Sequence, residues 1–98
     1  MADQTPQDGT PLGGVLVRYW AGARAAAGVT EESFPAPLTL SQLLHEVVMR
    51  HPDRPRLKDV VGVCSVLVGD RPVGTSDPQA VVLRPGDTVE LLPPFAGG

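Results

Sequence analysis

The chain end, Phe95-Ala96-Gly97-Gly98, is the segment whose residue types and spacing could do chemistry. Glycine has no Cβ, so its backbone can approach a ligand closely and adopt φ values that other residues avoid. Such a tip can enter a narrow site and present its terminal carboxylate there. Because a carboxylate is a poor electrophile until one oxygen becomes a good leaving group, any acyl transfer from Gly98 would first need that group to be activated.

Two prolines come directly before this tip. Pro93 and Pro94 favour an extended polyproline conformation, which would project the tip away from the folded part of the chain. Glycines near a terminus are also commonly a frayed end without a function. Because the prolines here follow a predicted strand, we favour a functional tip on a stiff stalk.

The other side chains that could do chemistry form no cluster in the sequence. Cys64 is the one cysteine, lies in a valine-rich segment and is predicted to be a small buried hydrophobic residue rather than a persulfide carrier. His45 and His51 are too far apart for a ligand pair at i and i+4 and are predicted to be solvated helix residues. The carboxylates form no close pair. We therefore expect no metal site, no bound cofactor and no acid-base catalysis by this chain alone.

The composition indicates one small domain. The 98 residues have a net charge of -3 and 19% charged residues, with enough Val and Leu to build a sheet and a covering helix. No basic face is evident, which argues against nucleic acid or an anionic membrane as a partner and favours another protein. The sequence lacks the basic start and apolar run of a secretory signal and any stretch that could span a membrane, so we expect a cytoplasmic protein.

The elements that would position the tip follow from the hydrophobic periodicity. Residues 1–13 have none and are predicted to be a flexible leader. A first strand is predicted over residues 15–20, followed by a short helical turn that ends at Gly28 and a second strand near residues 30–34.

One amphipathic helix is predicted in the middle of the chain. Thr39 and Gln42 have the spacing of a capping box. The helix then carries one apolar stripe, formed by Leu40, Leu43, Leu44, Val47 and Val48.

Residues after this helix are predicted to complete the sheet. We expect a loop over 53–59, a strand over 63–68, an edge strand over 71–74 and a last strand over 88–92. The predicted fold class is α+β, a mixed sheet of four to five strands covered by one main helix. This domain would span residues 14–94, followed by a flexible diglycine tip at 95–98.

In three stretches the sequence resembles the MoaD/ThiS family of sulfur carriers. These are residues 17–28, the Arg-Pro-Gly-Asp turn within 83–89, and the Pro-Pro-x-Ala-Gly-Gly ending at 93–98. The turn is common in proteins, whereas that ending is specific, and the whole resemblance spans about residues 15–98. It implies a ubiquitin-like β-grasp fold. The Pro-Pro form and the length are more similar to the molybdopterin-type carriers than to the thiamine-type ones, and the leader and Phe95 depart from the shortest members.

The resemblance also implies a function and partners. Gly98 would be adenylated with ATP by an E1-like adenylating enzyme and converted to a thiocarboxylate with sulfur from a donor such as a persulfide-bearing sulfurtransferase. The chain would then be the non-catalytic small subunit of a molybdopterin synthase, beside a large subunit of the MoaE type. Alternative acceptors are thiamine thiazole, cysteine or a secondary metabolite. An alternative of another class is a ubiquitin-like modifier joined through Gly98 to protein lysines.

Strand alternation predicts a docking face beside the tip. The side chains predicted on the exposed face of the sheet are apolar: Leu16, Trp20, Leu67 and Leu92. In a β-grasp sheet the first and last strands lie side by side, so these residues, with Pro93 and Pro94, would form one patch that binds a partner. Trp20 is the expected anchor because large aromatic side chains dominate interface energetics. A register error of one residue would instead place these side chains in the core.

The basic residues offer a second route to a partner. Four of them follow the first strand or the main helix and could contribute charge to docking: Arg24, Arg54, Arg56 and Lys58.

Overall fold

The computed structural model describes residues 13–94, which form ten elements of secondary structure. In chain order these are β1 Gly14–Tyr19, α1 Ala21–Ala27, β2 Glu31–Pro35, β3 Leu38–Thr39, α2 Leu40–Met49, α3 Leu57–Val63, β4 Ser65–Val68, β5 Arg71–Pro72, β6 Val82–Leu83 and β7 Thr88–Leu92. Among the described residues, no helix has the length and apolar character needed to cross a bilayer. The predicted leader, apart from Gly13, and the tip lie outside the described residues.

Five strands form one mixed sheet in the order β2-β1-β7-β4-β5. The first and last strands of the chain pair in parallel at its centre, with Val17 opposite Val89, and the other pairs are antiparallel. Strands β3 and β6 form a separate two-stranded sheet. The predicted α+β class and its mixed sheet are therefore confirmed.

The core lies between the sheet and the helices, and strand alternation determines which side chains enter it. Val15, Val17 and Tyr19 point inward from β1 and are almost completely buried. They pack with buried residues of all three helices, which are Ala23, Ala27, Leu40, Leu43, Val47, Leu57 and Val61. The predicted alternation of β1 is therefore correct.

Helix α2 begins at the predicted capping box. The backbone N–H of Gln42 donates to Thr39 Oγ1 at 3.0 Å, and the backbone N–H of Thr39 donates to Gln42 Oε1 at 2.8 Å. These two bonds satisfy donors that the first turn of a helix leaves unpaired. The helix starts where the sequence predicted because this signal is local.

The prediction was wrong between α2 and β4. The predicted loop over 53–59 contains the start of α3, and the predicted strand over 63–68 begins only at Ser65. Leu57 and Val61 lie at i and i+4, and the core buries both, which selects a helix. The valines that follow fit a helical and a strand pattern equally well in so short a segment. Periodicity therefore could not distinguish the end of a helix from the start of a strand. The pair β3 and β6 was missed because two-residue strands have no periodicity.

The two edges of the main sheet are protected. Pro72 lies in the edge strand β5, as predicted, where its missing N–H costs no ladder bond. At the other edge, Arg50 Nη1 donates to the carbonyl of Ser33 at 2.8 Å, and the guanidinium lies 3.9 Å from the centre of the Phe34 ring. A hydrogen bond and a cation–π contact thus join β2 to the end of α2.

Candidate functional site

Strand β7 carries the chain to the place where the tip leaves the domain. Leu91 pairs with Tyr19 on β1, and Leu92 pairs with Ser65 on β4. The backbone N–H of Trp20 extends this ladder by donating to the carbonyl of Leu91 at 3.2 Å. The tip is therefore attached to a central strand that is held on both sides.

The two prolines follow this strand without a break. Pro93 is half-buried and Pro94 is exposed. A Cβ added to Gly22 of α1 would lie 3.8 Å from Pro93 Cγ, so the proline ring runs close to the first turn of that helix. The start of the predicted stalk thus rests on α1. The remaining predicted site residues, Phe95, Ala96, Gly97 and Gly98, lie outside the described residues, and their role stays a prediction.

The outer face of the sheet, opposite the core, carries the four residues predicted for docking. Trp20 is 45% exposed, and Leu67 and Leu92 are half-buried. Leu16 does not fit the prediction, because it is only 4% exposed. Alternation assigns a side chain to a face of the sheet, but it does not determine whether that part of the face is covered. Leu16 is thus removed from the exposed set, and a docking role for the other three stays a prediction.

Charged side chains cross this outer face. The strand register places Glu31, Arg18 and Glu90 on the neighbouring strands β2, β1 and β7. Arg18 Nε is 3.0 Å from Glu31 Oε2, and Trp20 Nε1 donates to Glu90 Oε1 at 2.9 Å. The face is therefore mixed rather than the continuous apolar patch that was predicted. The bond to Glu90 orients the Trp20 ring, a positioning contact that sequence analysis missed.

A polar cluster lies between β1, β2 and the end of α2. The Tyr19 hydroxyl donates to Glu32 Oε1 at 2.7 Å, and His51 Nε2 is 2.6 Å from the same oxygen. The side chains of His51 and Glu32 are 12% and 13% exposed. The prediction of a solvated helix residue was therefore wrong for His51, whereas His45 is exposed. These contacts join residues distant in sequence, so no local pattern could indicate them.

Tyr19 should make the protein sensitive to alkali. Burial, followed by the hydrogen bond to the Glu32 carboxylate, raises the pKa of Tyr19 well above its ordinary value. The folded state thus favours the neutral phenol. This contribution to stability is fully present below about pH 10, the pKa of a free tyrosine, and is lost as the pH rises above it.

The measurement is the free energy of unfolding as a function of pH for the parent protein and for Tyr19→Phe. We expect the substitution to reduce the loss of stability above about pH 10, because phenylalanine has no proton to lose. Tyr19 is the one tyrosine, so tyrosinate absorbance reports its titration directly. An ordinary tyrosine titration in the folded protein would contradict the prediction.

Cys64 lies in the connection between α3 and β4 rather than inside a strand. It is a free, half-buried thiol that packs against the core. Burial raises the pKa of the Cys64 thiol, which keeps it protonated and therefore a weak nucleophile. Within residues 13–94 no group of three or more His, Cys, Asp or Glu side chains is arranged to hold a metal ion.

Three features define a ubiquitin-like β-grasp domain. The first and last strands pair in parallel at the centre of the sheet, a helix lies across one face, and the chain leaves the domain from the last strand. The chain belongs to the ThiS family, whose sequence model matches residues 17–98. The matched region includes the tip. The resemblance inferred from the sequence is therefore confirmed.

Relatives of known designation match most of the chain. The molybdopterin synthase sulfur carrier subunit of Homo sapiens is 36% identical over 90 residues, which cover 90% of this chain and 98% of that protein. Among solved structures, molybdopterin converting factor subunit 1 of Pyrococcus furiosus has a TM-score of 0.67 at 27% identity and covers 83% of this chain and 97% of its own.

A further solved structure contains two subunits. It is the complex of subunits 1 and 2 of the molybdopterin-converting factor from Helicobacter pylori 26695. The matched chain has a TM-score of 0.61 at 26% identity, and the match covers 87% of this chain and 99% of that one.

Proposed function

We propose that this protein is a sulfur carrier that bears sulfur as a thiocarboxylate on Gly98 and serves as the small subunit of a molybdopterin synthase. The observation that carries the proposal is the exit of the chain: β7 is paired on both sides at the centre of the sheet, and Pro93, two residues before Phe95, lies close to α1. The human relative, a molybdopterin synthase sulfur carrier subunit, supports the proposal, because the match spans nearly the whole length of that protein.

The chemistry takes place at the chain end. Attack of the Gly98 carboxylate on the α-phosphorus of ATP expels pyrophosphate and forms an acyl-adenylate. The terminal sulfur of a persulfide then displaces AMP and forms an acyl disulfide. A thiol of the donor or the adenylating enzyme attacks the distal sulfur of this acyl disulfide, which releases the thiocarboxylate on Gly98 and leaves a disulfide on the enzyme side, so that one carboxylate oxygen is replaced by sulfur. A tip without Cβ atoms at Gly97 and Gly98 can pass through a narrow channel, while the fixed β7 gives the enzyme a rigid body to hold.

Catalysis is supplied by the partners in this proposal. An E1-like adenylating enzyme binds the ATP, a sulfur donor such as a persulfide-bearing sulfurtransferase supplies the sulfur, and a large subunit holds the pterin precursor. The complex of subunits 1 and 2 from Helicobacter pylori supports a partner of the last kind. The chain itself is a non-catalytic carrier.

The test is the intact mass of the protein after incubation with ATP, the cognate adenylating enzyme and a sulfur donor. We expect a mass increase equal to the difference between sulfur and oxygen, located at Gly98, and none when ATP is omitted. An unchanged mass with an active enzyme preparation would refute the proposal. Recovery of Gly98 in an isopeptide bond to another protein would replace it with the modifier function.

The acceptor is tested separately. The thiocarboxylated protein is mixed with the large subunit and the pterin precursor, and loss of sulfur from Gly98 is followed by mass. We expect transfer to the pterin. Retention of the thiocarboxylate with an active large subunit would direct the search to thiamine, cysteine or secondary-metabolite acceptors.

A further inference from the structure

An open groove of about 550 Å³ lies between α1 and residues 53–60, which comprise the connection before α3 and the first turn of that helix. Its lining includes small apolar residues of α1, namely Gly22, Ala25 and Ala26, together with Val60 of α3. Because these α1 side chains are no larger than a methyl group, the groove has room for a side chain from another molecule.

The rim of the groove is predominantly positive. Arg54 and Arg56 line it, with Asp53 as the one carboxylate among the lining residues. A Cβ added to Gly28 would lie 2.5 Å from Arg54 Nη2, so the Arg54 guanidinium lies close to the end of α1, beside the groove. Arg56 is exposed at the start of α3. A net positive rim is notable on a protein whose net charge is -3.

The position of the groove connects it to the tip. Gly22, which lines the groove, lies close to Pro93, and Gly98 is four residues beyond Pro94. Four extended residues span at most about 14 Å. An enzyme that binds Gly98 in its active site must therefore approach the domain surface around Pro94 to within about that distance, and the groove begins there.

We propose that this groove receives an acidic segment of the adenylating enzyme. An apolar side chain of that segment packs onto Ala25, Ala26 and Val60, and its carboxylate lies between Arg54 and Arg56. The proposal rests on the proposed function, because it assumes that an enzyme binds Gly98. It adds a contact on the helical side of the domain, separate from the outer face of the sheet that carries Trp20.

The test uses two variants of the whole protein, Arg56→Glu and Ala25→Glu. The first reverses a charge on the rim, and the second places a carboxylate in the groove on an exposed helical position. The probe is the adenylating enzyme, isolated by its ATP-dependent activity on the parent protein. We expect each variant to raise the carrier concentration needed for half-maximal adenylation by about tenfold, with little change in the rate at saturation.

The matched control is Arg71→Glu, which makes the same change of charge on the edge strand β5. The hairpin of β5 lies at the start of β7 rather than its end, since the N–H of Gly69 donates to the carbonyl of Thr88. We expect this control to stay within about twofold of the parent. For the parent, high salt should raise the carrier concentration needed for half-maximal adenylation, because it screens the attraction between the rim and the acidic segment. This increase should be smaller for Arg56→Glu.

The outcomes separate the two proposals. If the parent protein is not adenylated by any enzyme preparation, the proposed function fails. If the parent is adenylated and both groove variants match Arg71→Glu, the groove proposal alone is overturned. Thermal unfolding of each variant shows whether it is folded, and Arg56→Glu provides the answer if Ala25→Glu does not fold.

Discussion

Deletion of Gly98 is expected to abolish thiocarboxylate formation while leaving the folded domain intact. The deletion withdraws the terminal carboxylate by about 3.5 Å, one extended residue. A misplacement of 1 Å can cost a factor of about 100 in rate, so the shortened chain should yield no product over the course of the assay. The fold should not change, because the last strand pair, Leu92 with Ser65, and the contact of Pro93 with α1 precede the deleted residue.

The matched control is Ala96→Gly, which alters the composition of the tip and keeps its length. We expect this variant to retain sulfur loading, because the carboxylate stays at the same distance from Pro94. Intact mass measures the loading of both variants, and thermal unfolding measures their stability. Full conversion of the shortened chain would show that the position of the carboxylate is not critical and would remove the basis for assigning Gly98.

Trp20→Ala is expected to weaken partner binding by about 30-fold or more with little effect on the melting temperature. A tryptophan that anchors an interface contributes about 2 kcal/mol or more, which corresponds to that factor. Its side chain is 45% exposed, and its bond to Glu90 is on the surface, so the free domain loses little. Affinity for the adenylating enzyme, measured by calorimetry beside thermal unfolding, tests this.

Two comparisons make this test specific. Leu16→Ala should do the opposite, lowering the free energy of unfolding by about 2 to 5 kcal/mol, because Leu16 is buried. Glu90→Gln should retain most of the affinity, since its amide oxygen can still accept the bond from Trp20 Nε1. A large fall in the melting temperature of Trp20→Ala would assign this residue to the fold rather than to docking.

The proposed docking region consists of three surfaces around one exit. The outer face contributes Trp20 beside the charged pair Arg18 and Glu31, the chain end contributes the stalk of Pro93 and Pro94, and the helical side contributes the groove. Trp20 directly precedes α1 and Gly22 lies in the first turn of that helix, so the outer face and the groove both adjoin the start of α1. An enzyme that binds the tip can therefore contact both surfaces at once.

The sequence by itself determined the features that depend on local physics. The capping box at Thr39 and the apolar stripe of α2 specify a helix wherever they occur, because a helix satisfies its own backbone hydrogen bonds. Alternation along β1 is equally local, since the pleat sends neighbouring side chains to opposite faces. The prolines before the tip likewise restrict φ by their own ring geometry, whereas the glycines of the tip allow φ values that other residues avoid. The adjacency of the first and last strands was inferred only through the family resemblance, and the structure shows that the pair is parallel.

Only the tertiary structure decided the features that depend on distant parts of the chain. Leu16 lies on the predicted face but is buried, because exposure depends on what packs over a side chain and not on its place in the strand. The bonds of Glu32 to Tyr19 and His51 form only after α2 has packed across the sheet. The groove beside Gly22 is likewise a gap between α1, which ends at Ala27, and residues 53–60, which follow α2 in the chain. Local backbone geometry specifies each element, whereas packing between elements determines which surfaces remain open to a partner.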